Sequence, residues 1–87
     1  MNEHYAVTDE MAHTALEVIV ENSHLRALNY AVNYASMGLE MHGRDLQTQI
    51  MYVLCNTATW RGDLARATKK VLNEYLAERR VGQWKAT

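Results

Sequence analysis

The chain has no proline and no phenylalanine, and its 87 residues include only one cysteine and four glycines. Without proline, no segment is barred from helix, and the abundant Ala, Leu, Met and Glu favour helix. A single thiol can form neither a disulfide framework nor a multi-cysteine zinc site within one chain. The composition therefore predicts an all-α protein without covalent cross-links.

Long apolar runs are also missing. No stretch reaches the ~18 residues of a membrane-spanning helix, and the first residues, Met1 to Tyr5, lack the basic, apolar character of a signal peptide. We therefore expect a cytoplasmic protein with no membrane partner. The formal net charge is only −1, so the overall balance does not by itself favour a nucleic-acid partner.

The charge is nevertheless unevenly placed along the chain. Residues 1–43 carry six acidic side chains and one basic one, whereas residues 44–87 carry eight basic and four acidic ones. Halves of opposite charge can attract each other within one bundle or meet head to tail between subunits. We favour the first arrangement.

The length and composition are typical of one globular domain, with 48% hydrophobic and 22% charged residues. A chain this short buries only ~60–65% of its unfolded surface, so oligomerisation would add stability. We therefore predict a single helical domain over residues 1–87 that forms a homo-oligomer, with a dimer favoured.

Capping residues and glycines divide the chain into helices. Thr8 is followed by two acidic residues, which is typical of a helix start. Gly43 and Gly62 each end one helix, and Asp45 and Asp63 can cap the next. We predict a three- or four-helix antiparallel bundle with helices at about 9–22, 24–42, 45–60 and 63–80, an N-terminal arm over 1–7 and a C-terminal tail over 82–87.

The junction between the first two predicted helices is open to two interpretations. Ser23 can cap a new helix after Asn22, yet neither glycine nor proline forces a break there. A kink or short turn at this place would let the apolar stripes on both sides reach one core. A continuous helix over 9–41 would instead span about 50 Å, which is too long for a compact monomer and implies a dimer.

Helical periodicity assigns an inward side to each helix. The inward residues are Met11, Ala12, Ala15, Leu16 and Ile19, then Leu25, Leu28, Val32, Ala35 and Leu39, then Leu46, Ile50, Val53, Leu54, Thr57 and Trp60, and finally Leu64, Thr68, Val71, Leu72, Tyr75 and Leu76. The six residues Ile50–Cys55 are all apolar. We therefore expect the third helix to be surrounded by the others, and Cys55 to be a buried thiol.

The second helix carries another apolar stripe, in which Tyr30, Tyr34, Met37 and Met41 recur at i, i+4, i+7 and i+11. This stripe either packs on the first helix or forms a protein-binding surface, since Tyr and Met are enriched at interface cores. We take these four residues, together with Trp60 and Arg61 at the end of the third helix, as the candidate partner surface.

Motifs of known chemistry are scarce. The sequence has no phosphate-binding glycine loop, nucleophile elbow or HExxH motif. Glu10 and His13 match the Glu-x-x-His fragment of di-metal helical bundles, but such a site needs two fragments and two further glutamates. Chance on an acidic helix is the simpler explanation. We predict no catalytic residue, no metal and no cofactor, and a metal-binding enzyme is the least favoured function.

A DNA-binding regulator is the alternative to a protein-binding one. The third helix, the turn at residues 60–62 and the basic fourth helix are ordered like a helix-turn-helix. The candidate nucleic-acid surface then consists of Arg66, Lys69, Lys70 and Asn73. The sequence pI of about 6.4 weighs against this alternative.

Residues Met51–Leu72, about a quarter of the chain, resemble C-terminal stretches of small uncharacterised helical proteins of bacteriophages and mobile elements. The resemblance implies a small accessory protein that binds and modulates a host protein in the host cytoplasm. Together with the apolar stripe, it favours a non-enzymatic interaction or regulatory protein that self-associates and binds a partner protein.

Overall fold

The computed structural model of the chain describes residues 5–86, with side chains described for residues 5–79. Residues 1–4 of the predicted arm and Thr87 lie outside this range. The α-helices are α1 (Asp9–Glu21), α2 (Ala31–Gly38), α3 (Gly43–Cys55) and α4 (Asp63–Ala86), with a 3-10 turn at Arg26–Leu28. Each helix packs on the next, and α4 returns to α1. The predicted all-α bundle is confirmed.

The start of α1 follows the local signals in the sequence. The backbone amide of Met11 donates to the Thr8 Oγ1 at 3.1 Å, so Thr8 is the N-terminal cap. Just before it, the amides of Ala6 and Val7 donate to the Glu78 carboxylate at 3.1 and 3.0 Å. Val7 is buried, so the described beginning of the chain is fixed on α4.

The junction after α1 is a turn, and the continuous-helix alternative is wrong. Asn22 Nδ2 donates to the Val18 carbonyl at 2.8 Å. This side-chain bond gives a carbonyl at the end of α1 a donor that does not come from a further helical turn. Leu25 is extended, with φ −78° and ψ 131°. Because the chain then makes only a 3-10 turn, the helix predicted over 24–42 is reduced to the eight residues of α2.

Small residues allow α2 to lie close to its neighbours. Ala31, Ala35 and Gly38 form its buried face, and a Cβ atom built on Gly38 would lie 2.8 Å from Leu16 Cδ1. The predicted inward residue Val32 is only partly buried. The α2 helix therefore turns its small residues, rather than its branched ones, towards the core.

The predicted inward sides of the other helices are largely confirmed. Buried positions include Leu16 and Ile19 on α1, Leu46, Ile50 and Val53 on α3, and Leu72, Tyr75 and Leu76 on α4. Two predicted core residues, Met11 and Leu64, are instead 45% and 50% exposed. Both lie at the contact between α1 and α4, where the core opens to solvent.

The prediction that α3 is enclosed on all sides is wrong. Met51 and Tyr52 are 46% and 49% exposed, and Cys55 is exposed rather than buried. The reason is that α3 packs mainly on α2 and α4, so the buried surface is one side of the helix and the rest of the apolar run faces solvent.

The ends of α3 also differ from prediction. The helix begins at Gly43, which has a φ of +59°, and Asp45 lies in the first turn instead of capping it. It ends at Cys55 rather than at residue 60, because Asn56 and Thr57 side chains bond back to the Tyr52 and Leu54 carbonyls. Residues 56–62 then form a connection that is longer than the predicted turn.

The fourth helix is longer than predicted. Gly62, with a φ of +111°, precedes Asp63, the first residue of α4. The helix extends to Ala86, past the expected end at residue 80 and the glycine at position 82. A glycine costs a helix interior only about 1 kcal/mol relative to alanine, and no proline follows it. Among the residues that the structure covers, no helix is both long enough and apolar enough to cross a membrane.

We expect Gly38→Val to destabilise the protein by roughly 1–3 kcal/mol, because the branched side chain would overlap Leu16 in a packed core. Chemical denaturation monitored by circular dichroism measures the change. Ser36→Val is the matched control, since Ser36 is exposed on the same helix. An equal loss in both variants would contradict the close-packing explanation.

Candidate functional site

The exposed large hydrophobic side chains of the described residues are divided between two pairs of helices. Five lie on or beside α2 and α3, namely Tyr30, Tyr34, Met37, Met51 and Tyr52, and the other two, Met11 and Leu64, lie on α1 and α4. Single exposed apolar residues are ordinary on a protein surface. Grouping of this kind is the feature that marks an interaction site.

Tyr30, Tyr34 and Met37 share one edge of α2, as the helical spacing predicted, and this edge meets α3. The rings of Tyr34 and Tyr52 lie 5.4 Å apart between centroids, with an interplanar angle of 31°. Tyr30 is 74% exposed and Met37 is 55% exposed. We call Tyr30, Tyr34, Met37 and Tyr52 the tyrosine–methionine surface. The stripe does not pack on α1, because Ala31, Ala35 and Gly38 provide the buried face of α2.

The remaining residues of the predicted partner surface lie elsewhere. Met41 is partly buried against the core, since α2 has ended before it and its helical spacing no longer applies. Trp60 is buried, because the connection after α3 folds it inwards. Arg61 is exposed beside it, at a shallow depression that Arg66 and Lys69 also line.

The predicted nucleic-acid residues lie on α4, but their polar groups are engaged within the protein. Arg66 pairs with Asp63, and the Lys70 ammonium lies 4.0 Å from the Glu74 carboxylate. Asn73 Nδ2 donates to the Lys69 carbonyl at 2.9 Å. With residues 56–62 separating α3 from α4, the geometry does not favour a helix-turn-helix, whose turn has three or four residues.

Lys69 has a structural role that the sequence did not reveal. Its Nζ donates to the Thr57 and Trp60 carbonyls, each at 2.8 Å. These two carbonyls belong to the connection between α3 and α4, where no further helical turn supplies donors. Lys69 therefore closes this end of the bundle, and its charge is only partly exposed.

At the other end of the bundle, the Asp9 carboxylate joins three helices. Its Oδ1 accepts from the Tyr75 hydroxyl at 2.7 Å, and its Oδ2 accepts from the Gly43 amide at 3.1 Å. The Arg79 guanidinium lies 3.6 Å from Oδ1, and His42 Nδ1 lies 3.6 Å from Oδ2. We call Asp9, His42, Tyr75 and Arg79 the Asp9 cluster.

Arg79 is held from several sides. Its side chain is only 8% exposed, and its guanidinium stacks over the rings of Tyr5 and Tyr75, at 4.0 and 3.6 Å from their centroids. It also lies 3.8 Å from the Glu78 carboxylate. This positive charge is therefore paired and packed, which is the usual condition for burying an arginine.

The titration of the Asp9 cluster follows from these contacts. Burial by itself raises the pKa of Asp9, but the bonds from Tyr75 and Gly43 and the charges of Arg79 and His42 outweigh it, so the pKa lies below its usual value. Burial and then the bond to Asp9 raise the pKa of the Tyr75 phenol well above its ordinary range. Asp9 is thus ionised and Tyr75 neutral at physiological pH, and both are committed to holding helices together.

His13 of the predicted Glu-x-x-His fragment is also engaged. Its Nε2 lies 2.8 Å from the Met41 carbonyl oxygen, and its ring meets the His42 ring edge-on at 5.1 Å. Glu10 is exposed. Within residues 5–79, no three His, Cys, Asp or Glu side chains are grouped so that they could hold a metal ion.

Sequence reasoning missed the Asp9 cluster and the opening between α1 and α4. Asp9 bonds to residues that are 34 and 66 positions away in the chain, and no sequence spacing predicts contacts between residues so far apart. The opening had a weak signal, because Met11 and Leu64 lie at the margins of their apolar stripes. Comparison of the chain with protein-family models, curated proteins and solved structures finds no match.

We expect Asp9→Asn to lower the free energy of unfolding by about 1–3 kcal/mol at neutral pH, because Tyr75 and Arg79 lose their charged partner. The folded-state pKa of Asp9 is depressed, so its contribution is present above the unfolded pKa of ~3.9 and is lost as the pH falls through the folded pKa. Denaturant titrations at several pH values should therefore show the two proteins converging in acid.

Asp45→Asn is the matched control for this variant. Asp45 also lies in the first turn of a helix, but it is exposed, so the change reports only the interaction of a carboxylate with the helix dipole. If Asp45→Asn costs as much as Asp9→Asn, the contacts of the cluster do not account for the stability.

We expect Lys69→Met to destabilise the protein by about 1–2 kcal/mol, since two carbonyls of the connection lose their charged donor while the apolar stem is kept. Lys70→Met should change stability by less than ~0.5 kcal/mol, because Lys70 makes only an exposed pair with Glu74. Thermal unfolding of the two variants side by side measures the difference. Equal effects would show that Lys69 does not hold the connection.

Proposed function

We propose that this protein is a small non-enzymatic interaction protein, of a regulatory kind, that self-associates and binds a partner protein. A second copy of the chain is the proposed occupant of the tyrosine–methionine surface. The observation that carries the proposal is the continuity of Tyr30, Tyr34, Met37 and Tyr52 across α2 and α3, half of them more than 50% exposed.

The chemistry of this surface supports association. Tyrosine contributes a large apolar ring and a polar hydroxyl at low entropic cost, and methionine adapts to an irregular neighbour. Both are enriched in the cores of protein interfaces. An edge formed by two antiparallel helices can pair with its own copy about a two-fold axis, which is the commonest symmetry of homo-oligomers.

The size of the chain gives a second reason for self-association. A domain of 87 residues has little core with which to offset the entropy of folding. Covering four exposed Tyr and Met side chains would add buried apolar area that the single chain cannot supply. The ionisable side chains of the Asp9 cluster, meanwhile, are occupied in joining helices, which supports a non-enzymatic role.

The biological setting implied by the resemblance of Met51–Leu72 is that of a phage or mobile-element accessory protein in a host cytoplasm. We infer the cytoplasmic location from the same resemblance.

We expect the wild-type protein to sediment as a dimer, at twice the 10.0 kDa chain mass, and to dissociate on dilution. The double variant Tyr30→Ser/Met37→Ser should raise the dissociation constant of the dimer at least about tenfold. Both side chains lie at the proposed contact, and both substitutions remove apolar area. Sedimentation equilibrium over a range of concentrations measures the dissociation constant.

The double variant Met11→Ser/Leu64→Ser provides the matched control. It removes two half-exposed apolar side chains from the opening between α1 and α4, and it should leave the dimer intact. A monomeric wild-type protein at every concentration would contradict self-association. A dimer broken by the control and kept by Tyr30→Ser/Met37→Ser would assign the contact to the other face.

A further inference from the structure

The contact between α1 and α4 is open along one side, where it forms an apolar groove of about 380 Å³. Met11 and Val18 line it from α1, and Leu64 and Val71 line it from α4. The two residues that the sequence placed in the core but that the structure leaves half exposed, Met11 and Leu64, both belong to this groove. The lining over Met11–Val18 covers about 10 Å, or two helical turns.

The α1 edge of the groove is acidic and uncompensated. Thr14 lines the groove at this edge, and Glu10, Glu17 and Glu21 lie at positions −4, +3 and +7 from it, on the same side of the helix. All three are exposed, and none takes part in an ion pair within the described residues. The helix α1 contains no lysine or arginine.

The α4 edge has the same spacing but a different balance of charge. Ala67 lines the groove there, and Asp63, Lys70 and Glu74 lie at −4, +3 and +7 from it. These charges are already paired, Asp63 with Arg66 and Lys70 with Glu74. The groove is therefore apolar along its floor, negative along the α1 edge and nearly neutral along the α4 edge.

We propose that this groove binds an amphipathic helix of the partner protein, one whose apolar stripe is flanked by Lys or Arg on the side that faces α1. The apolar stripe fills the space between Met11 and Leu64, in the way that helices dock into grooves at i, i+3, i+4 and i+7. The basic flank pairs with Glu10, Glu17 and Glu21, which have no cation of their own. The charge of the α1 edge thus selects the partner, and the groove supplies the apolar area that is buried on binding.

The inference rests on the proposed function in making the chain a protein-binding module, and it names the chemistry of the partner. It uses a different face from the tyrosine–methionine surface. The two proposals therefore fail separately, because the dimer variant Tyr30→Ser/Met37→Ser leaves the groove unchanged and the groove variants leave α2 unchanged.

Two synthetic helical peptides test the proposal on the whole protein. Both carry the same Leu and Met stripe, and one flank holds Lys in the first peptide and Gln at the same positions in the second. Fluorescence anisotropy should show about tenfold tighter binding of the Lys peptide at low salt, and this advantage should vanish in high salt. Equal affinities, or no binding of either peptide, would overturn the proposal.

Variants assign the binding to the groove. Glu10→Gln/Glu17→Gln/Glu21→Gln should remove the advantage of the Lys peptide without changing the affinity for the Gln peptide. Leu64→Ser should weaken both peptides about tenfold, through lost apolar contact.

The controls make the same chemical changes away from the groove. Glu40→Gln removes an exposed carboxylate between α2 and α3, and Met51→Ser removes an exposed apolar side chain from α3; neither should alter binding. If the Lys peptide keeps its advantage in the triple variant, or loses it in Glu40→Gln, the acidic edge of α1 does not select the partner. If Leu64→Ser and Met51→Ser act alike, the groove is not the site.

Discussion

The Asp9 carboxylate is the contact on which one whole end of the bundle depends. It lies in the first turn of α1 and at the same time at the N-terminus of α3, where it accepts from the Gly43 amide. The α3 helix has no side-chain cap of its own, so a residue 34 positions away completes it. A negative charge is favourable at both helix N-termini. The Tyr75 hydroxyl and Arg79 then attach the distant part of α4 to Oδ1 of the same carboxylate.

The opposite end of the bundle is held by a cation instead of an anion. Lys69 reaches from α4 to the Thr57 and Trp60 carbonyls, while Trp60 fills the space beneath the connection. With Asp9, Glu78 and Arg79 at one end and Lys69 at the other, the ionisable groups that stabilise the fold are gathered at its ends. The long sides are left to apolar side chains and solvated charges, and both proposed contacts lie there, on the α2–α3 edge and along the α1–α4 groove.

The parts of the fold that the sequence predicts are those decided within a few residues. Thr8 caps α1, and Gly43 and Gly62 take positive φ, because each of these depends on backbone and side chain at one place. At Asn22–Ser23 the sequence left a turn and a continuous helix both open, and the structure has the turn. Helical periodicity likewise finds most of the core and the shared edge of Tyr30, Tyr34 and Met37.

The remainder depends on contacts between distant residues. An apolar run such as Ile50–Cys55 shows what a helix can bury, but the packing of neighbouring helices decides what it does bury, and α3 packs mainly on two, α2 and α4. The same holds for Trp60, which the sequence placed both on an inward stripe and on the candidate partner surface. It is buried, in the connection that follows the end of α3 at Cys55. The excess of acidic residues in α1 can be read from the sequence. That these residues border an apolar groove can be read only from the structure.

The short helix α2 separates two tasks that larger helices often combine. Its attachment to the bundle uses Ala31, Ala35 and Gly38, whereas the side chains it presents outwards are Tyr30, Tyr34 and Met37. Because the two sets share no residue, the outward side chains can be replaced by others while the helix remains packed on the core. A chain built in this way can acquire a new binding preference through surface substitutions alone, without passing through variants that fail to fold.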